Sequence, residues 1–192
     1  MGGKLVKHTV SNNIELILQE IHSVLQATDN QQVNTLVKEI MKSQKIVTIG
    51  AGRMGMTARA FAMRLKHLGM DAYSLGDSNV PNLGKNELLV VASGSGETQT
   101  IFDIASIAKK SKVKIALVTG NPKSRIGKLA DHIVQIKAPT KFDLTGQLTS
   151  IQPMTTLFEQ STLIFFDAVV LILMEKTKQT LHELWKRHSR LE

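Results

Sequence analysis

The segment Ser93-Gly94-Ser95-Gly96-Glu97-Thr98 places three hydroxyls and two glycines in one short loop. Glycines let a backbone approach a ligand closely, and hydroxyls donate to phosphate oxygens. A second loop, Gly50-Ala51-Gly52-Arg53-Met54-Gly55, has the same setting. Each follows an apolar run that reads as a strand, and each precedes a helical pattern. A helix start offers unpaired N–H groups and a partial positive charge. Two such loops on one sheet predict sites for a small phosphorylated molecule.

Glu159 follows Pro153 in the first turn of a long apolar helix. Two roles are open to it. A carboxylate near a helix N-terminus is favourable by about 0.3–1 kcal/mol. A carboxylate in a partly desolvated pocket can also serve as a general base. Among the six histidines, His8, His22, His132 and His182 read as surface residues. His67 reads as structural, beside the core, and His188 falls in the basic tail Lys186-Arg187-His188-Ser189-Arg190-Leu191-Glu192. No His, Asp or Glu cluster has metal-ligand spacing. No Gly-x-Ser-x-Gly elbow is present.

Gly50-x-Gly52-x-x-Gly55 formally matches the dinucleotide fingerprint, with Asp77 after the next strand. The hydroxyl loop tells against NAD, because a dinucleotide domain has no use for it. Two separate anion loops suit a phosphosugar.

The elements that must position these residues follow from periodicity. Helical spacing covers 11–27 and 30–42. Short apolar runs at 45–49, 72–75, 87–92, 113–119 and 133–136 read as strands. Helices at 53–68, 98–110 and 124–129 intervene. Continuous apolar strands between helices imply a parallel sheet covered on both faces. Right-handed crossovers make this a three-layer α/β sandwich with a five-stranded parallel, flavodoxin-like sheet. Ligands then sit at the C-terminal strand ends, where both loops lie. A polar loop over 139–155 leads into an almost wholly apolar helix at 155–174. Such a helix needs cover on every side, which predicts a homodimer or homotetramer. The chain reads as one domain: leading helices over 1–44, a parallel core over 45–138, the loop, and a C-terminal helix and tail over 156–192.

With 192 residues the chain is long enough to bury a core. It has no cysteine, which excludes disulfides and thiolate metal sites. Residues 1–7 lack the apolar stretch of a signal peptide, and a cytoplasmic location is expected. The apolar run Thr162 to Met174 contains Asp167 and reads as too short to span a bilayer. The balance is basic, 24 Lys and Arg against 16 Asp and Glu. Those charges are scattered, and one Trp and one Tyr make no stacking platform, so neither nucleic acid nor membrane is expected as a partner.

Taken in order, Gly-Ala-Gly-Arg before a helix, Phe61-Ala62-Met63-Arg64-Leu65, the Ser93–Thr98 loop, Gln152-Pro153-Met154 and Leu157-Phe158-Glu159-Gln160 resemble the 6-phospho-3-hexuloisomerase family of the sugar isomerase (SIS) superfamily. The ending from His188 to Glu192 is similar as well. The resemblance implies a cofactor-independent isomerase acting on a phosphorylated ketohexose in the ribulose monophosphate pathway of formaldehyde fixation. It implies that Ser93, Gly94, Ser95, Gly96, Glu97 and Thr98 hold the phosphate, with Gly52, Arg53 and Met54 as further contacts. It makes Glu159 the proton acceptor, with His188 or His67 moving the hydroxyl proton. Similar proteins carry Ser where this chain has Met54. A thioether donates no hydrogen bond, and the missing contact predicts a loss of about 1.5–3 kcal/mol. A Met54→Ser change is expected to raise efficiency and to leave stability nearly unchanged. A non-catalytic phosphosugar-binding module, or another phosphosugar aldose–ketose isomerase, fits the same motifs.

Overall fold

The computed structural model describes residues 9–140 and 149–191. His8, Glu192 and residues 141–148 of the expected loop lie outside them. Five strands, β1 (Ile46–Gly50), β2 (Ala72–Ser74), β3 (Leu88–Ala92), β4 (Lys114–Thr119) and β5 (His132–Gln135), form one sheet in the order β2-β1-β3-β4-β5. All neighbours pair in parallel, with Ile46 opposite both Ala72 and Leu88. The sheet order reverses between β1 and β3, which is where ligands bind in such sheets.

The helices are α1 (Val10–Gln26), α2 (Asn30–Lys42), α3 (Arg53–His67), α4 (Gln99–Lys110), α5 (Arg125–Leu129), α6 (Thr156–Thr177) and α7 (Leu181–Arg187). Strand residues alternate between two cores, as the two-residue period demands. Ile46, Leu88, Val90, Ala116 and Val118 face α1, α2, α3 and α6. Val47, Leu89, Val91, Ile115 and Leu117 face α4 and α5. The expected sandwich is therefore present, with helices on both faces.

Phe61 of α3 stacks on Phe166 of α6, ring centroids 4.1 Å apart and planes within 7°. This contact fixes the two helices that carry Arg53 and Glu159. Helix α6 spans 22 residues, longer than the apolar run alone suggests, and by length and composition it could cross a membrane. Half of that apolar stretch is buried in the chain. One face, including Phe158, Phe165, Val169 and Leu173, is buried, while Leu163, Ile164 and Leu171 are exposed.

The expected surface histidine His132 is half-buried, its Nε2 lying 2.7 Å from the Gln32 carbonyl oxygen. The tail contains α7, which sequence spacing does not predict. A reciprocal capping box between Thr180 and Glu183 starts it. Arg187 then donates to the His67 carbonyl at 3.1 Å and pins its end.

Candidate functional site

Four helices begin with satisfied caps. Thr9, Asp29, Ser124 and Thr180 each accept a backbone N–H through a side-chain oxygen. The other three, α3, α4 and α6, begin at Gly52, Thr98 and Thr155 with no side-chain cap bond. Residues from these three starts, Met54, Thr98 and Thr155, line one cavity of about 360 Å³. Uncapped starts leave N–H groups and the positive dipole end available to an anion. The cavity also takes Ala51 after β1 and Ala92 at the end of β3, so it sits at the point where sheet order reverses.

The hydroxyl loop is braced from within. Ser93 Oγ accepts the Gly96 N–H at 3.2 Å, and Ser95 Oγ accepts the Glu97 N–H at 3.2 Å. Each hydroxyl keeps its own hydrogen for a ligand. Gly96 has φ +64°, and a Cβ there would overlap Ser124 Oγ, so only glycine fits. Ser93, Gly94, Ser95 and Thr98 line the cavity, and Gly94 packs on the Phe158 ring.

Glu97 turns away from that lining. Its carboxylate accepts the Arg125 backbone N–H at 2.9 Å and Arg125 Nε at 2.8 Å. Those bonds, the backbone one foremost, hold the Glu97 carboxyl below its ordinary range. Arg125 also lies 4.5 Å over the Phe102 ring. Glu97 and Gly96 therefore shape the loop by tying it to α5.

Glu159 lines the same cavity. Its Oε1 accepts the Thr155 hydroxyl at 2.9 Å, and its Oε2 lies 3.1 Å from Arg53 Nη1. Arg53 Nη1 also donates to Thr156 Oγ1 at 3.1 Å. A carboxylate, a guanidinium and a hydroxyl loop thus converge on one space. That set can bind an anion, accept a proton from carbon and stabilise an oxyanion.

Met54 lines the cavity but is only 6 % exposed and belongs to the core beneath α3. The expected neutrality of Met54→Ser toward stability is thereby overturned, because the thioether packs among apolar groups. Gly52 lines a different cavity, on the β2 side of α3. His188 and His67 share a third cavity with Asp167 and Trp185, their rings 5.3 Å apart. Within one chain, neither histidine joins Glu159.

Sequence reading missed Glu20 of α1. Its carboxylate accepts Ser150 Oγ at 2.8 Å, the Ile151 N–H at 2.9 Å and Gln152 Nε2 at 2.8 Å. Burial pushes this carboxyl up, but the bonds from Gln152, Ile151 and Ser150 outweigh it and hold it below its ordinary value. The clamp fixes the Gln152-Pro153-Met154 turn from which α6 and Glu159 start. Among the described residues, no group of three or more His, Cys, Asp or Glu could hold a metal ion.

A family model for the SIS domain matches residues 39–164. A Bacillus subtilis (strain 168) protein named 3-hexulose-6-phosphate isomerase is 40% identical over 176 residues, covering 92% of this chain and 95% of that one. A Mycobacterium gastri protein of the same name is 38% identical over 189 residues, covering 98% and 94%. A crystal structure from Methanococcus jannaschii, from which a molecular function of 3-hexulose-6-phosphate isomerase was inferred, is 30% identical with a TM-score of 0.81, covering 94% and 99%.

Proposed function

The chain belongs to the SIS domain family, and on that premise we propose that it interconverts D-arabino-hex-3-ulose 6-phosphate and fructose 6-phosphate. The observation that carries this reading is the convergence of Glu159, Arg53 and the Ser93–Thr98 loop on one cavity.

The substrate phosphate sits against Ser93, Ser95 and Thr98, at the uncapped start of α4. The open-chain sugar then runs toward α6. Glu159 takes the proton from C2 of the 3-ketose, giving a cis-enediolate, and returns a proton at C3. The C2 oxygen becomes the new carbonyl. Arg53, already beside the Glu159 carboxylate, stabilises charge on the enediolate oxygens. Transfer of the hydroxyl proton falls to His188, reaching the cavity across a subunit boundary in a homodimer or homotetramer. The exposed Leu163, Ile164 and Leu171 of α6 support such an assembly. In the cell the reaction belongs to cytoplasmic formaldehyde fixation.

The test is purified protein with hex-3-ulose 6-phosphate, coupled to detection of fructose 6-phosphate. Sustained formation of fructose 6-phosphate supports the reading. Binding of the sugar phosphate with no turnover would leave a phosphosugar-binding module.

A further inference from the structure

On the far side of α3, a cavity of about 290 Å³ opens between the ends of β1 and β2. It is lined by Gly50, Gly52, Gly55, Arg59, Ser74 and the neighbouring Met56 and Leu75, and none of these lines the Glu159 cavity. The three glycines are those of the Gly-x-Gly-x-x-Gly pattern, which the isomerase reaction does not use. Their roles separate cleanly. A Cβ on Gly50 would come within 2.5 Å of the Met54 carbonyl oxygen, and one on Gly55 within 3.1 Å of the Gly50 carbonyl oxygen. Those two permit close packing of strand on helix. Gly52 is different: it has φ +58°, and a Cβ there would meet nothing within 4 Å. Its backbone faces open space at a helix start that lacks a side-chain cap.

Two side chains complete the wall. Ser74 is 6 % exposed, lines the cavity, and its hydroxyl makes no hydrogen bond among the described residues. A buried hydroxyl without a partner is costly unless something else satisfies it. Arg59 brings a guanidinium, which makes no ion pair among the described residues. At the rim Asp77 accepts the Ser74 N–H at 3.4 Å. It is an acidic residue after the second strand, the place from which ribose hydroxyls are read in nucleotide sites.

We propose that this cavity is a second anion site, separate from the catalytic one, that takes a phosphate group through Arg59, Ser74 and the open backbone at Gly52. Its ligand is a phosphate monoester or free phosphate, and Asp77 makes a nucleotide the favoured carrier. The two cavities share the first turn of α3, so an occupant here bears on the helix start that holds Arg53.

The experiment is calorimetric titration of the full chain with AMP and, separately, with inorganic phosphate. Both are run with fructose 6-phosphate saturating the catalytic cavity. One residual binding event per chain is expected. Arg59→Gln and Ser74→Ala should each weaken it about tenfold or more, the scale of a lost bond to a charged group. Both variants should turn over hexulose phosphate at the wild-type rate in the absence of added nucleotide. Tighter binding of AMP than of phosphate, relaxed by Asp77→Asn, identifies the nucleotide as the source. Equal binding identifies the free anion. No event in the presence of fructose 6-phosphate, or an event that Arg59→Gln leaves unchanged, overturns the proposal. Either result leaves the isomerase reading intact, because that reading rests on turnover alone.

Discussion

Arg53 Nη1 lies 3.1 Å from a carboxylate oxygen of Glu159, joining the first glycine loop to the first turn of α6. The guanidinium is about half exposed, with a side-chain accessibility of 51%. An exposed pair of this kind contributes only about 0–1 kcal/mol to stability. Its consequence is positional. Arg53 reaches Glu159 and Thr156 with one nitrogen, so the start of α3 and the start of α6 are held at a set separation across the cavity.

The hydroxyl loop gives a contrast between two of its members. Ser93 Oγ braces the Gly96 N–H, whereas Thr98 makes no cap bond. Ser93→Ala should raise KM and also lower Tm, since it removes a buried bond of about 1 kcal/mol, equivalent to about 2–4 °C. Thr98→Val should raise KM with Tm unchanged. Thermal melts beside saturation curves separate the two. An unmoved KM in Thr98→Val would remove that hydroxyl from the phosphate site.

Met54→Ser should now do two things at once. It should cost about 1–3 kcal/mol of stability, because a buried apolar side chain is replaced by a small polar one. It should also raise kcat/KM for the hexulose phosphate, by supplying a donor to the cavity that Met54 lines. Calorimetry reads the first effect and steady-state kinetics the second. A gain in stability would contradict the packing, and unchanged kcat/KM would show that backbone N–H groups suffice.

The exposed side of α6 predicts assembly, and two neighbouring leucines test it differently. Leu171 is 66% exposed, while Leu173 is fully buried in its own chain. Leu171→Glu should yield a smaller, still folded species by sedimentation. Leu173→Glu should lose the fold itself, because it buries a carboxylate among apolar groups. A wild-type monomer in sedimentation would contradict the predicted assembly.

Glu20 supplies a dependence on pH. Its folded carboxyl titrates below the unfolded one, so its contribution is fully present above the unfolded value and is lost as pH falls through the folded value. Glu20→Gln should lower Tm near neutral pH. The gap from wild type should close on the acid side of the ordinary glutamate value, about 4.3. A gap that stays constant into acid would show that the clamp does not depend on charge.

Much of this architecture was legible because strands and helices differ in period. Every strand run and helix pattern from 10 to 135 lies within about two residues of the observed element. The two loops were legible because glycine and hydroxyl positions are local. What escaped was set by distant contacts. Glu20 and Gln152 are 132 positions apart, and nothing near either announces the other. Helix α7 is short and exposed, held by its capping box and by Arg187 on the His67 carbonyl. The opposite facing of Gly52 and Met54 follows from the helical turn of 3.6 residues, which puts positions two apart on nearly opposite sides.

The most direct test of the account is turnover of Glu159→Gln. Glutamine keeps the size of the side chain and its contacts with Thr155 and Arg53 in reach, but it cannot take a proton from carbon. With hex-3-ulose 6-phosphate as substrate, kcat should fall about 10²–10⁴-fold, with the Tm and oligomeric state of the wild type retained. A folded variant that turns over at nearly the wild-type rate would contradict the assignment of Glu159 as the base, and leave it a carboxylate that merely starts α6.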